Sequence, residues 1–311
     1  TLANAPDGTE ATVVEMGARG NGHISQLCSM AQPTVGQVTA VHAVHSEIMG
    51  GEEQIAVAKR ELVESLPPEG LAVLNAADRR VAAMARHTRA QVLTFGVAGE
   101  GDGDWEADVL AMEVAVDDEL RPSFTLDSPW GSDRVRMAAR GIHNVGNALA
   151  AATVGLHAGM THAEVAEGLA HPLASPWRME LSRTSGGLVV LNDAYNASPA
   201  SVSAALRSLA GLPAKRRVAV LGRMAELGGR EADEHRDVAE LAAGLGVELI
   251  AVGTDLYGSG GVPDAGAAVA ELSSRGLLSE GTAVLVKGSR VVGLEEVADA
   301  LTGAGDGQPR P

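Results

Sequence analysis

Short hydrophobic runs alternate with longer amphipathic stretches along this chain. Consecutive β-branched and aliphatic residues predict strands over residues 35–41, 71–75 and 92–96, whereas residues 51–66 carry apolar side chains at helical spacing. Several of these runs end in a polar residue. Because ligands bind beyond the carboxyl ends of the strands in open α/β sheets, this pattern is typical of a parallel sheet that carries a site.

The stretch Thr12-Val13-Val14-Glu15 predicts the first strand, which ends in a carboxylate just before Gly17. In a buried strand of this kind, Glu15 would point towards the place where chemistry occurs. The same stretch is equally typical of an ordinary strand followed by a solvated acid. Taken alone, it does not separate the two interpretations.

The second half of the chain alternates more regularly between strands and helices. A helix follows each of four predicted strands, which cover residues 188–192, 217–221, 249–252 and 283–286. This order predicts a doubly wound α/β domain. Pro172 and Pro176 mark a predicted boundary, so we expect one domain over residues 1–174, a second over 175–303 and a disordered tail over 304–311.

Lys59 is the most unusual side chain of the first half, because it falls on the apolar stripe of a predicted helix. The commoner interpretation is that its charged end reaches solvent. If the amine is buried instead, desolvation lowers its pKa, and a neutral amine can react with carbon dioxide to give a carbamate that binds metal. His45 and Glu47 lie just past a predicted strand end and could hold a metal or a phosphate, although a polar loop explains them as well.

A long alanine-rich helix is predicted to start near Gly141. Asn144 and Asn147 lie three residues apart, so they share one face near the start of this helix. Capping explains Asn144 but is a weaker explanation for Asn147. Thr161 and Glu164 predict a capping box that starts the next helix.

Composition narrows the class of protein. Hydrophobic residues make up 45% of the 311 residues and aromatic residues only 2%, which suits alternating strands and helices. The net charge of −16 argues against non-specific nucleic-acid binding. Cys28 is the only cysteine, so no internal disulfide is possible, and no apolar run reaches the ~20 residues that a membrane span needs.

Read together, the motifs form an ordered set that resembles the Mur ligases of peptidoglycan synthesis. In chain order they are Val14–Arg19, His45-x-Glu47, Ala58-Lys59, Gly141-x-His143-Asn144-x-x-Asn147, Arg178-Met179-Glu180, Asp193-x-Tyr195-Asn196-Ala197-x-Pro199, Met224–Gly228 and Leu285–Arg290. Each motif is weak alone, but the ordered set is specific and spans nearly all of the chain. The Asp-Asn-Pro-Arg signature of the diaminopimelate- or lysine-adding members is absent.

The resemblance implies a central ATP-binding domain, incomplete at its N-terminus, and a Rossmann-like C-terminal domain. It also implies an ATP- and magnesium-dependent ligase that joins D-alanyl-D-alanine to UDP-N-acetylmuramoyl-tripeptide through an acyl phosphate. We expect a cytoplasmic monomer with no nucleic-acid or membrane partner. The alternatives are another Mur-type amide ligase with a different acceptor, and a truncated binding module without catalysis.

The resemblance also assigns roles to single residues, in three groups. The expected magnesium and catalytic residues are Glu15, His45 and the carbamylated Lys59. The expected nucleotide contacts are Asn144 and Asn147 to adenine, and Arg178 and Asp193 to phosphate and ribose. The residues expected near the substrate are Tyr195, Asn196, Lys287 and Ser289. His235 is expected to face the same cleft.

This chain departs from the family pattern in three places. Ala40 stands where an asparagine is usual, and Arg223 stands where an aspartate is usual. A phosphate loop of the Gly-Lys-Thr/Ser type, which would supply backbone donors and a lysine, is not found in these residues. Since the chain opens at Thr1 on a loop-like segment, we expect that the natural polypeptide extends further upstream.

Overall fold

A computed structural model describes residues 5–18, 20–41, 51–101, 105–171, 175–258 and 260–303 of the chain. These residues form two compact units. The first comprises Thr1–Met112, Thr125–Asp133 and Gly146–Val165, and the second comprises Glu113–Phe124, Arg134–Val145 and Ala166–Pro311. Residues 42–50, 172–174 and 304–311 lie outside the description, and with them His45, Pro172 and the expected tail.

Six strands form the first sheet, and helices separate the first three. In chain order the elements are α1 (His23–Ala31), β1 (Val35–Val38), α2 (Glu52–Glu64), β2 (Leu71–Asn75), α3 (Arg79–Ala82), β3 (Gln91–Val97), β4 (Val109–Val116), β5 (Pro122–Ser128) and β6 (Gly131–Arg136). The strand order is β1-β2-β3-β4-β5-β6, and β1 to β4 pair in parallel.

Two helices follow this sheet, and a second sheet of five strands comes next. The remaining elements are α4 (Asn144–His157), α5 (His162–Ala170), β7 (Glu180–Arg183), β8 (Val189–Asn192), α6 (Pro199–Gly211), β9 (Arg216–Gly222), α7 (Glu231–Gly244), β10 (Glu248–Val252), α8 (Ala265–Ser274), β11 (Thr282–Lys287) and α9 (Glu295–Thr302). The order is β10-β9-β11-β8-β7, with only the edge strand β7 antiparallel to its neighbour.

Both faces of the second sheet are buried, as its nearly continuous hydrophobic strands require. One core packs Leu191, Leu221 and Leu285 against α6 and α7, and the other packs Val190 and Val220 against α8 and α9. This arrangement confirms the predicted doubly wound α/β architecture.

Side chains cap the start of α5 and of α6, and the cap of α5 was predicted from the sequence. Ser198 caps α6 through the Ser201 N–H, with Pro199 at the first helical position. Glu164 Oε2 accepts the Thr161 N–H at 2.7 Å, which forms the predicted capping box at the start of α5.

The strand predicted over residues 12–15 is wrong. Val13 is 95% exposed, Glu15 is exposed, and none of the described strands pairs with this segment. A run of β-branched residues forms a strand only when a neighbouring strand takes its backbone hydrogen bonds and its side chains are covered, and neither condition holds here.

Candidate functional site

Lys59 lies at the carboxyl ends of β1 and β2, inside the first unit. It projects from α2, one residue after the buried Ala58, and its Nζ donates to the Ala40 carbonyl at 2.5 Å. Ala40 follows the end of β1. The amine is therefore half-buried at the edge of a parallel sheet where ligands of such folds bind.

Polar side chains at the end of β2 hold the segment that follows β1. Asn75 Nδ2 donates to the Thr39 carbonyl at 2.9 Å, and Asp78 Oδ2 accepts the Val41 N–H at 2.7 Å. Asp78 Oδ1 also caps α3 by accepting the N–H groups of Arg80 and Val81. The backbone around Ala40 is thus fixed from two sides.

Burial lowers the pKa of Lys59, and the negative charge of Asp78 opposes this effect without reversing it. A larger fraction of the amine is therefore neutral at a given pH than for an exposed lysine. A neutral amine is the form that reacts with carbon dioxide, so the described surroundings of Lys59 fit a carbamate.

Glu61, two residues after Lys59, binds the start of α1. Its carboxylate accepts the Gly22 N–H at 2.5 Å, the Ser25 N–H at 3.0 Å and the Ser25 hydroxyl at 3.2 Å. Burial acts to raise the pKa of Glu61, but these hydrogen bonds outweigh it and the pKa is lowered. The N-cap residue Gly22 has no side chain, so α1 depends on a cap supplied by a distant glutamate.

The expected magnesium ligands are not assembled in the described residues. Glu15 lies in the exposed irregular segment, and His45 falls outside the description. Among the described residues, no group of three His, Cys, Asp or Glu side chains could hold a metal ion. Magnesium binding by Glu15, His45 and Lys59 therefore stays a prediction.

Asn144 and Asn147 lie in the first turn of α4, as the spacing predicts. Asn144 Nδ2 donates to the Arg140 carbonyl at 2.6 Å, which orients this side chain towards the preceding turn. His143 directly precedes the helix. Desolvation lowers the pKa of His143; Asp193 opposes the shift and Lys287 adds to it. The motif contained His143, but no spacing rule assigned it a role.

Lys287 and Asp193 form a buried ion pair in the second unit. Lys287 ends β11 and is 3% exposed, and its Nζ lies 2.5 Å from Asp193 Oδ2 and 2.9 Å from the Asn196 carbonyl. Asp193 Oδ1 accepts the Met179 N–H at 3.1 Å. The pair thus joins the ends of β8 and β11 to the segment before β7.

That segment presents Arg178. The residues on either side of it, Trp177 and Met179, have left-handed φ values of 59° and 52°, which non-glycine residues seldom adopt. The Arg178 guanidinium lies 4.0 Å from the centre of the Tyr195 ring, and the Tyr195 N–H donates to the Trp177 carbonyl. Strained backbone of this kind persists where surrounding contacts determine it, and such strain is concentrated at functional sites.

Ser289 and Asn196 lie beside the same strand ends, with different exposure. Ser289 is buried, and its Oγ accepts the Ala225 N–H at 2.9 Å. Asn196 is exposed, and its Oδ1 accepts the Ala197 N–H at 2.9 Å. The sequence therefore brings Asp193, Asn196, Lys287 and Ser289 together at one edge of the second sheet.

The expectation that His235 faces a cleft is wrong. This residue is fully buried in the first turns of α7, where its Nε2 accepts the Met224 N–H at 2.9 Å and its Nδ1 lies 2.6 Å from the Glu231 carbonyl. The Nδ1–H must donate to the carbonyl, so the ring is neutral, and desolvation lowers its pKa. His235 holds the loop after β9 and cannot reach a ligand.

Arg223, which replaces the usual aspartate, forms an ion pair with Glu231 through its Nε and Nη2. Its backbone carbonyl accepts the Ser289 N–H at 3.1 Å. The arginine is thus accommodated by an acid on the neighbouring helix.

None of the helices in the described part of the chain has the length and apolar character to span a membrane.

Two family models match the chain over most of its length. The Mur ligase middle domain matches residues 1–155, and the Mur ligase glutamate ligase domain matches residues 177–290. The UDP-N-acetylmuramoyl-tripeptide–D-alanyl-D-alanine ligase of Mycobacterium tuberculosis is 38% identical over 97% of this chain, and that of Escherichia coli is 31% identical over 93%. In both cases the matched region spans 64% of the relative.

Solved structures of Mur ligases also resemble this chain. MurF from Acinetobacter baumannii superimposes with a TM-score of 0.82 at 27% identity, covering 91% of this chain and 63% of that one. This chain belongs to the Mur ligase family.

Proposed function

We propose that this chain is the nucleotide-binding and amide-forming part of an ATP-dependent ligase that adds D-alanyl-D-alanine to UDP-N-acetylmuramoyl-tripeptide. The observation that carries the proposal is the 38% identity, over 97% of this chain, to a relative with that name. The chain spans about two thirds of that relative, so the activity belongs to the complete protein.

ATP is the proposed energy source. A MurF structure from Thermotoga maritima that shares this fold is described in complex with ADP. In the proposed reaction, a substrate carboxylate attacks the γ-phosphate and ADP leaves. The acceptor amine then attacks the acyl phosphate, an amide forms, and inorganic phosphate and a proton are released. Arg178 and Asp193 are the proposed phosphate and ribose contacts, and Asn144 and Asn147 the proposed adenine contacts.

Lys59, with Glu15 and His45, is proposed to hold magnesium. The lowered pKa of Lys59 supports a carbamate at its Nζ. Magnesium held there would neutralise phosphate charge, while Lys59 and the fixed backbone at Ala40 keep the site in place. Tyr195, Asn196, Lys287 and Ser289 are the proposed substrate-side residues of the second unit. We place this activity in the cytoplasm of a bacterial cell, in a monomer.

The test is ligation by the complete protein. UDP-N-acetylmuramoyl-tripeptide, ATP and magnesium are incubated with D-alanyl-D-alanine or with a panel of other amino acids and dipeptides, and products are identified by mass spectrometry. We expect a product only with D-alanyl-D-alanine or its close analogues. Product with another amine alone would indicate a different Mur-type ligase, and no product with any acceptor would overturn the proposal in favour of a binding role.

A further inference from the structure

Arg290, in the turn between β11 and α9, is held against an aromatic ring. Its Cζ lies 4.6 Å from the centre of the Trp177 ring, and its Nη1 donates to Glu295 Oε1 at 2.5 Å. The Arg290 side chain is 46% exposed, whereas that of Glu295 is only 7% exposed. A buried carboxylate and a buried indole therefore fix one exposed guanidinium.

Glu295 is an unusual partner, because its second oxygen is not satisfied. Oε2 is buried, and no group in the described residues forms a hydrogen bond with it. Glu295 is the first residue of α9, where the helix dipole favours a negative charge. A buried carboxylate with one unsatisfied oxygen costs free energy, so the pair holds Arg290 in one orientation at some cost to stability.

Most of the N–H donors of the Arg290 guanidinium form no hydrogen bond with the described residues. Arginine carries five N–H donors in one plane, and Glu295 is the only hydrogen-bond acceptor that Arg290 contacts among the described residues. Because the Arg290 side chain is 46% exposed, the donors that Glu295 does not use can meet a ligand from solvent. A rigid planar donor of this kind suits an oxyanion with two oxygens.

A second stacked arginine lies in the same unit and next to Trp177 in sequence. Arg178 follows Trp177 directly and stacks on Tyr195, whose N–H donates to the Trp177 carbonyl. Two exposed guanidiniums on aromatic supports therefore flank Trp177, at the edge where β8 and β11 end. Arg178 is already proposed to contact the phosphate of the nucleotide. Arg290 is therefore a candidate to bind a second anionic group.

We propose that Arg290 binds the carboxylate of the acceptor dipeptide. This inference rests on the proposed function, which supplies an acceptor that has an amine at one end and a carboxylate at the other. Glu295 offsets much of the positive charge of Arg290, which favours a singly charged carboxylate over a multiply charged phosphate. Glu295 acts through Arg290 and is a positioning residue.

The experiment measures binding separately from catalysis. The complete protein is saturated with UDP-N-acetylmuramoyl-tripeptide, magnesium and a non-hydrolysable ATP analogue, then titrated calorimetrically with D-alanyl-D-alanine or D-alanyl-D-alaninamide. We expect the wild type to bind the acid about ten to a hundred times more tightly than the amide, as the loss of one charge-assisted pair predicts. Arg290→Gln should bind both with similar affinity.

Three further variants sharpen the result. Arg290→Lys should keep part of the preference for the acid, and Glu295→Gln should reduce the preference while retaining binding. Arg275→Gln removes an exposed arginine that pairs with Glu271 on α8, and it should leave the preference unchanged. Circular dichroism checks the fold of each variant.

The outcomes separate the two proposals. The assignment of Arg290 would be overturned if Arg290→Gln kept the full preference for the acid. It would also be overturned if the wild type bound acid and amide equally, or bound neither. A variant that lost affinity for the nucleotide and not for the dipeptide would overturn it as well. Binding that depends on Arg290, but without ligation when ATP is supplied, would support the assignment and contradict the proposed function.

Discussion

Lys287 and Asp193 are joined by a 2.5 Å contact that is almost closed to solvent, with the lysine 3% exposed. Lys287 ends β11 and Asp193 follows β8, so the pair connects two neighbouring strands across 94 residues of sequence. Because Asp193 also accepts the Met179 N–H, the same pair supports the strained segment that carries Arg178.

Lys287→Met should destabilise the protein strongly. It leaves the Asp193 carboxylate buried without its cation, which typically costs about 3–5 kcal/mol. The free energy of unfolding, measured by urea denaturation, gives this cost. The double variant Lys287→Met/Asp193→Asn should recover part of the loss, since no unpaired charge remains. Equal stability of the single variant and the wild type would show that the pair is not needed in the fold.

Lys59→Ala should abolish ligation by the complete protein while the fold persists. The reason is that the proposed carbamate at Nζ is lost. Short carboxylic acids that replace the carbamate should restore part of the activity, as measured by ADP release. Arg60→Ala, which removes the neighbouring cation from a half-exposed pair with Glu64, serves as the control and should stay active. Near-normal activity of Lys59→Ala would remove the carbamate from the mechanism.

His235 should make stability depend on pH. Its pKa in the fold is lowered, so the unfolded state binds more protons below the ordinary histidine value of about 6.5. The His235 contribution is therefore full above that pH and is lost progressively as the pH falls below it. Unfolding free energies between pH 8 and pH 5 measure this dependence.

His235→Gln supplies the comparison, because an amide can accept the Met224 N–H without titrating. The difference in stability between wild type and this variant should shrink as the pH falls from 7 to 5. A difference that stays constant over this range would show that the pKa of His235 is the same in the folded and unfolded states, which contradicts the prediction.

Glu61→Gln should destabilise the protein by about 1–2 kcal/mol at pH 7. The neutral amide keeps one acceptor for the start of α1 but loses the charge that strengthens the bonds from Gly22 and Ser25. Because the pKa of Glu61 in the fold is lowered, its contribution is present above about 4.3, the unfolded value, and disappears as the pH falls through the folded pKa. Thermal unfolding at pH 7, and at a series of pH values below about 4.3, checks both statements.

Glu64→Gln is the matched control for this prediction. Glu64 lies on the same helix, but it is more exposed and pairs with Arg60, so its loss should cost no more than about 0.5 kcal/mol. If the two variants were equally stable, Glu61 would contribute nothing beyond an ordinary surface acid.

Features that depend on neighbouring residues in sequence were predicted from the residues alone. The strand at residues 71–75 and the capping box at Thr161 appear as predicted, because hydrophobic period and capping act over one or two turns of chain. The order of motifs likewise indicated the family, because it is read along the chain and needs no tertiary contact.

Only the tertiary structure decided how these elements use their side chains. The apolar run at residues 12–15 forms no strand because no described strand pairs with it, and His235 is buried because α7 turns that face towards the core. Glu61 binds a helix that begins about forty residues earlier, and Arg290 rests on a ring more than a hundred residues away. The spacing of residues in the sequence predicts local conformation. Burial, ion pairing and ligand orientation depend on residues that come into contact only after folding.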